Sequence, residues 1–182
     1  MMIHTFSFLL LFHYSGTKEQ ILYVFCARNR NKIVQNVKLI GRMISLEFSD
    51  QLKQFSKRVA SMRDSIQTEE ATKTSLIMPF FSLLGYDVFD PNEFVPEFTA
   101  DVGIKKGEKV DYAIVNEGQP VILIEAKWVG EKLDRHDSQL FRYFGTTCAK
   151  FAILTNGVIY RFYTDLDEQN KMDEKPSWKS IC

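Results

Sequence analysis

The sequence predicts an α/β fold in which helices flank a mixed central sheet. From residue 43 onward, helical stripes and β-rich runs follow one another in the order helix, hairpin strands, helix, strands. Two of the β-rich runs, at residues 121–124 and 151–154, are apolar on both faces. Such runs indicate central strands that are covered on both sides. The 182 residues, of which 45% are hydrophobic, suit one globular domain with a substantial core.

An amphipathic helix is predicted first, with Ser49 or Asp50 capping its start. Apolar residues spaced alternately four and three apart form one stripe along it, namely Phe48, Leu52, Phe55, Val59 and Met62.

A second helix is predicted from Thr68, the expected N-cap, with Glu69 and Glu70 at the positive end of the helix dipole. Pro79 should distort this helix and Gly85 should end it. The expected buried face consists of large apolar residues at helical spacing, Leu76, Ile77, Phe80, Phe81 and Leu84.

The β-rich middle of the chain predicts a hairpin. Residues 86–89 are expected to form a short strand, and residues 96–107 a loop or irregular hairpin. Residues 110–115 and 121–124 are β-rich and are separated by the turn residues 116–120. We therefore expect these two runs to pair as antiparallel neighbours.

The remaining elements are a helix, two strands and a tail. Residues 134–144 are predicted to form a helix with Leu140, Phe141 and Phe144 facing inward. The Asn156-Gly157 dipeptide favours a tight turn between a strand at 151–154 and one at 158–163. Residues 165–182 are polar and are expected to be loosely ordered.

Composition excludes several classes of protein. Lys plus Arg and Asp plus Glu both total 23, so a small polybasic nucleic-acid binder is excluded. Three widely separated cysteines exclude a disulfide scaffold and indicate a reducing, cytoplasmic setting. With three histidines and no CxxC, a zinc site is disfavoured. No apolar run reaches the roughly 18 residues of a membrane span.

The first 42 residues differ in charge from the rest of the chain. They carry six basic residues and one acidic residue, a net charge of +5, whereas the remaining 17 basic and 22 acidic residues give −5. We expect Met43 to be the true initiator; the competing interpretation is a genuine N-terminal extension or weak anchor. A natural peptide spanning residues 38–43 would contradict the first interpretation. The predicted organisation is a doubtful extension at 1–42, a domain at 43–168 and a polar tail at 169–182.

Two carboxylates in the β-rich region are candidates for chemistry. Asp111 lies in the first strand of the predicted hairpin and Glu125 ends the second. Buried carboxylates are costly unless they are paired or bind a cation, and two nearby carboxylates suit Mg²⁺. Lys127, two residues after Glu125, should share its face of the strand and help to position an attacking water. For this pattern alone, the alternative is a buried Glu–Lys ion pair with Asp111 at a strand end.

Three further features lie near this pattern. Gln139 and Tyr143 stand four apart, on one helical face, and their side chains are suitable donors to a phosphate or base. Glu69 or Glu70 is positioned to add a carboxylate, although either is also a favourable helix-start acid. A group of basic residues precedes the hairpin and either meets phosphates or forms a solvated surface loop: Lys105, Lys106 and Lys109.

Longer stretches around these residues resemble a known family. They read TEEATKTSLIMPFFSLLGYDVFDP, EKVDYAIVNEGQPVILIEAKW and SQLFRYFGTTCAKFAILTNGVIYRFYTDLD. Together they resemble the N-terminal nuclease domain of type I restriction enzyme R subunits, and more closely the stand-alone prokaryotic and phage proteins built on that domain. The resemblance covers about residues 47–168 and places the chain near the PD-(D/E)xK nuclease superfamily.

This resemblance implies an αβββαβ core and Mg²⁺-dependent endonuclease cleavage of DNA, with Mn²⁺ as a possible substitute. It implies that Asp111 and Glu125 are metal ligands and that Lys127 is the catalytic lysine. Gln139 and Tyr143 match the family's QxxxY motif, which is associated with DNA contact. The family's helix acid falls on Glu69 or Glu70, and Glu69 is preferred because it leads the 69–73–76–80 stripe that faces the sheet.

The sequence departs from the family pattern in two places. Val110 stands where the superfamily name expects proline, which removes no ligand. No GxxxxGK[ST] phosphate loop is present, so this chain carries no ATPase motor. The family implies DNA, specificity and methylation subunits or a separate translocase as partners. Two alternatives stay open: a catalytically silent DNA-binding or assembly module of a restriction or phage-related system, and an RNA-directed nuclease on the same fold.

Overall fold

The structure of the chain is a computed structural model that describes residues 8–11, 23–26, 37–99, 109–134 and 138–182. Two short strands, β1 (Phe8–Leu11) and β2 (Tyr23–Cys26), pair antiparallel. The helices are α1 (Val37–Met62), which is followed by a 3₁₀ turn (Arg63–Ser65), then α2 (Glu69–Thr72), α3 (Met78–Leu83) and α4 (Ser138–Thr146). A π-helical turn (Lys73–Ile77) joins α2 to α3.

A mixed sheet forms the centre of the fold. Within the described residues it has six strands in chain order, β3 (Phe94–Phe98), β4 (Val110–Asn116), β5 (Gln119–Ala126), β6 (Phe151–Thr155), β7 (Ile159–Tyr163) and β8 (Trp178–Ile181). Strands β5 and β6 are parallel and joined through α4, whereas every other neighbouring pair is antiparallel. The predicted α/β fold with a mixed sheet between helices, and with the order αβββαβ, is confirmed.

Apolar side chains cover both faces of the sheet, as the two-sided strands predicted. On one face, Phe55, Leu76 and Phe81 from the helices pack with Ile124 of β5. On the other face, α4 packs against the strands in a second cluster, whose fully buried members include Leu123, Leu140, Tyr143, Phe144 and Leu154. Strand β5 therefore lies between two apolar layers, which is why its run is apolar at successive positions.

The first helix extends beyond its predicted start. It begins at Val37, so Ser49 and Asp50 lie inside it and do not cap it. Asp50 instead accepts a hydrogen bond from Lys53 one turn later, at 3.4 Å. No proline interrupts residues 37–48, and the helical backbone continues through them.

The second helix follows its prediction closely. Thr68 caps it by accepting a hydrogen bond from the Ala71 N–H at 3.1 Å. The distortion expected at Pro79 takes the form of the π turn that precedes it, where the helical hydrogen-bond pattern changes. The helix ends before Gly85, as predicted.

Two predictions concern the segment between this helix and the hairpin; the strand at residues 86–89 is wrong, and the irregular hairpin at 96–107 agrees with the antiparallel pairing of β3 and β4. Residues 86–89 form a turn, because the Phe89 N–H donates to the Asp87 side chain and the Asp87 N–H donates to Glu93. The start of the predicted 96–107 loop belongs to strand β3, in which Pro96 is tolerated because β3 is an edge strand. Residues 100–108 lie outside the described residues.

Two later predictions are also corrected. Helix α4 begins at Ser138 and not at Asp134, which lies in a turn. Phe141 is only partly buried and Tyr143 takes the inward position instead. The C-terminal segment is not loosely ordered: the Trp178 ring packs 5.5 Å from that of Phe162, and β8 extends the sheet.

The π-turn region packs closely against the backbone at Gly157. Its φ is +80°, and an added Cβ would lie 2.8 Å from Leu76 Cβ. Gly118 in the β4–β5 turn has a similar φ of +76° but open space where a Cβ would stand.

We predict that Gly157→Ala lowers the free energy of unfolding by roughly 2–4 kcal/mol, from backbone strain plus steric overlap. Gly118→Ala should cost about 1 kcal/mol, from strain alone. Urea denaturation measures both, and equal losses would contradict the close approach at Gly157.

Candidate functional site

Strands β4 and β5 bring Asp111 and Glu125 to the same end of the sheet. Tyr112 pairs in register with Ile124, so the residues that flank this pair are neighbours. Asp111 Oδ2 accepts a hydrogen bond from the Ala126 N–H at 2.7 Å. This bond between the strands holds the Asp111 carboxylate beside Glu125, as the sequence predicted.

Glu125 is a buried carboxylate with one oxygen unpartnered. Its Oε1 accepts a hydrogen bond from Lys127 Nζ at 2.6 Å, so the predicted proximity of these two residues is confirmed. Its Oε2 is buried, and no donor among the described residues bonds to it. Burial, together with the nearby charge of Asp111, raises the pKa of Glu125 to about 7 despite the opposing effect of Lys127.

Lys73 is a member of the site that the sequence reasoning did not select. Its ammonium group lies 2.6 Å from Asp111 Oδ1, 2.8 Å from Glu70 Oε1 and 3.1 Å from Glu69 Oε1. Burial acts to lower the pKa of Lys73, but hydrogen bonds to Asp111 and Glu70 and the surrounding negative charge raise it well above its usual value. One signal was available: Lys73 stands in the stripe that faces the sheet, three and four residues after the two glutamates.

Specific contacts hold the helix that carries Lys73 against the end of β5. The Val129 N–H donates to Thr72 Oγ1 at 3.0 Å, and the Trp128 indole donates to the Ile66 carbonyl at 3.0 Å. The segment that follows Lys127 is thus tied to the chain just before Lys73, at Ile66 and at Thr72. These bonds, with the close approach at Gly157, fix where the Lys73 ammonium lies.

The charges of the site do not balance. Four carboxylates, those of Glu69, Glu70, Asp111 and Glu125, share two ammonium groups, those of Lys73 and Lys127. When all are ionised, four negative charges against two positive charges leave an excess of −2. A divalent cation would cancel this excess.

The donor atoms fit a hard divalent cation. Carboxylate oxygens are the ligands that Mg²⁺ prefers, and Glu125 Oε2 is a buried oxygen that lacks a donor. In the described part of the chain, no three His, Cys, Asp or Glu side chains are grouped so as to hold a metal ion. Asp111 and Glu125 would therefore be the principal protein ligands, which suits Mg²⁺ because it retains several waters. Glu69 contacts Lys73, and its predicted part in catalysis stays a prediction.

The structure describes the surroundings of three other predicted site residues. The Gln139 side chain donates to the backbone carbonyl of Lys109, which places the start of α4 beside the start of β4. The Lys109 ammonium forms an ion pair with Glu97. Tyr143 is fully buried under the sheet, where it contributes to packing. Lys105 and Lys106 lie outside the described residues.

A comparison with protein families identifies a related domain. Residues 102–171 match the family described as "Type I restriction enzyme R protein N terminus". The matched segment contains Asp111, Glu125, Lys127, Gln139 and Tyr143, and it begins after Glu69 and Lys73. The resemblance to the N terminus of type I restriction enzyme R proteins is thereby confirmed over residues 102–171. No curated protein and no solved structure matches the chain. None of the described helices is long and apolar enough to cross a membrane.

The raised pKa of Glu125 predicts that stability falls as pH rises. Between the ordinary glutamate pKa of 4.5 and about 7, the folded protein holds a proton that the unfolded chain has released. The free energy of unfolding should therefore decrease across this interval, by up to roughly 3 kcal/mol. Thermal denaturation between pH 4.5 and 7.5, with a chelator present, measures the effect. Glu125→Gln should remove this component, and an unchanged pH dependence in that variant would contradict the assignment.

Proposed function

We propose that this chain is a Mg²⁺-dependent DNA endonuclease domain of the type I restriction kind, which hydrolyses phosphodiester bonds. The match to the R-protein N terminus supports a restriction-related, nuclease-like domain. The observation that carries the finer proposal is the pairing of Asp111, held by the Ala126 N–H, with Glu125, whose Oε2 lacks a donor. These are two hard-oxygen ligands on neighbouring strands, one buried and one partly buried, next to a lysine.

In this proposal each residue has a defined task. Asp111 and Glu125 hold Mg²⁺, for which Mn²⁺ may be exchanged experimentally. The bound ion would polarise the scissile phosphate and lower the pKa of a coordinated water. The Lys127 ammonium contacts Glu125 Oε1 at 2.6 Å and keeps that carboxylate oriented. In the proposed reaction it also positions the attacking water. Glu69 supports the site through its ion pair with Lys73.

DNA contacts are assigned to residues around the start of β4 and α4. Gln139 lies next to the Lys109 backbone, so its amide is close to the strand that carries Asp111. Lys105, Lys106 and Lys109 would meet phosphates, and Tyr143 supports the helix from beneath. The net charge of zero predicts weak DNA binding by the isolated chain, with strong sensitivity to salt. In a cytoplasmic restriction system, specificity and methylation subunits or a separate translocase would bring the domain to its DNA.

One observation favours a second function, that of a catalytically silent DNA-binding or assembly module. Both oxygens of Asp111 already have partners in the protein, the Ala126 N–H and the Lys73 ammonium. A site in which an internal cation remained on Asp111 permanently would keep the fold without turnover. Metal-dependent cleavage separates the two functions.

Cleavage of supercoiled plasmid is the test of this proposal. The full chain with Mg²⁺ or Mn²⁺ should nick the plasmid, because the site supplies both metal ligands and a neighbouring lysine. Asp111→Ala and Lys127→Ala should each lower the nicking rate by at least about a hundredfold. Lys171→Ala is the matched control, because this exposed lysine forms an ion pair with the neighbouring Glu168 at 2.7 Å, and its loss should leave the rate unchanged.

Three outcomes bear on the alternatives. Folded wild-type protein that binds DNA and does not nick it with either metal would support the silent module. Cleavage of RNA in preference to DNA would redirect the proposal to an RNA nuclease on the same fold. Equal nicking by wild type and by the Asp111 variant would indicate a contaminating nuclease and contradict the assigned site.

A further inference from the structure

The proposed hydrolysis does not use the Lys73 ammonium, yet three carboxylates surround this group. The side chain is buried and contacts three carboxylates, those of Glu69, Glu70 and Asp111. Burying an ammonium group is costly unless it is well paired, so this position is unfavourable for a residue that only fills space. The surrounding contacts suggest a specific electrostatic purpose.

The Lys73 ammonium contacts the Asp111 oxygen that a metal ion would need as a ligand. Asp111 Oδ2 is engaged by the Ala126 N–H, which leaves Oδ1 as the oxygen free of backbone contacts. Lys73 Nζ lies 2.6 Å from this Oδ1. A cation that approaches Asp111 therefore meets a positive charge already in contact with the ligand atom, and the two cannot share one close position.

The helix that carries Lys73 provides two other carboxylate partners for its ammonium group. Glu69 and Glu70 precede Lys73 by four and three residues, and both already contact its ammonium. If the ammonium leaves Asp111, it retains these two partners and is not left as an unpaired buried charge. The Glu70 side chain is 77% exposed, so this alternative position lies toward solvent. Displacement thus requires a short side-chain movement only.

We propose that Lys73 is an internal counter-ion that occupies Asp111 Oδ1 in the metal-free protein and moves onto Glu69 and Glu70 when a divalent cation binds. Lys73 then competes with the metal and keeps the Asp111 carboxylate oriented until the metal binds. The inference rests on the proposed function in one respect, the binding of the cation at Asp111. It makes Lys73 a positioning residue, since Lys73 acts on the site through Asp111.

Calorimetric titration of the full chain with Mn²⁺ tests the competition. Lys73→Met, which keeps the side chain's length and removes its charge, should bind Mn²⁺ at least about tenfold more tightly than wild type. Lys171→Met removes the same charge from an exposed lysine that pairs with Glu168, and it should change the affinity by less than about threefold. Asp111→Asn should abolish the binding and so identify the site.

The outcomes separate this inference from the proposed function. Binding that depends on Asp111 but is equally tight in wild type and Lys73→Met overturns the competition and leaves the metal site intact. The lack of any Asp111-dependent binding, in wild type and in Lys73→Met, overturns both proposals.

A second measurement uses the wild-type protein and does not depend on how the variant folds. In lysine-selective NMR spectra, the Lys73 side-chain signal should shift as Mg²⁺ is added, while the signal of the exposed Lys171 stays in place. If the Asp111-dependent site fills with Mg²⁺ and the Lys73 signal does not move, the displacement is contradicted.

Discussion

The need to neutralise a carboxylate buried at the end of the central strand governs the arrangement of this protein. Glu125 lies where apolar layers cover both faces of β5, so its charge is poorly solvated and its pKa is raised to about 7. Lys127 supplies part of the compensation through one oxygen. Asp111 adds a second negative charge beside Glu125. This carboxylate forms an ion pair with Lys73 of the neighbouring helix. An apolar residue at position 125 would remove the partner of Lys127 and leave Lys73 paired with Asp111.

The fold supplies the rigidity that such a charge cluster requires. Asp111 is held by a hydrogen bond from the adjacent strand. The helix that carries Lys73 is tied to the end of β5 through Thr72 and Trp128, and the lack of a side chain at Gly157 lets it approach the sheet. Each charged group is thus positioned by an element that belongs to the apolar core. These elements hold the four carboxylates together, so the excess of two negative charges is present whenever all four are ionised.

The sequence allowed the fold to be predicted where a pattern has one physical cause. The two-sided run before Glu125 required a covered strand, and Thr68 and Gly85 marked the limits of a helix. The strand predicted at 86–89 failed because the Asp87 side chain accepts a backbone hydrogen bond that a strand would need. The order of the C-terminal segment was missed because it depends on a distant partner, Phe162, against which Trp178 of β8 packs. In the site, Asp111, Glu125 and Lys127 were identified because carboxylates in strands are costly. Lys73 was not, because an i,i+4 Glu–Lys pair is usually a surface feature, and only the tertiary contact with Asp111 reveals its burial.

The account depends on the binding of a divalent cation between Asp111 and Glu125. A crystal structure of the protein with Mn²⁺, analysed by anomalous scattering, tests this most directly. The account predicts an anomalous peak about 2.1 Å from Asp111 Oδ1 and Glu125 Oε2, with the Lys73 ammonium shifted onto Glu69 and Glu70. A structure with Mn²⁺ bound elsewhere, or with none bound and Lys73 still on Asp111, would contradict it.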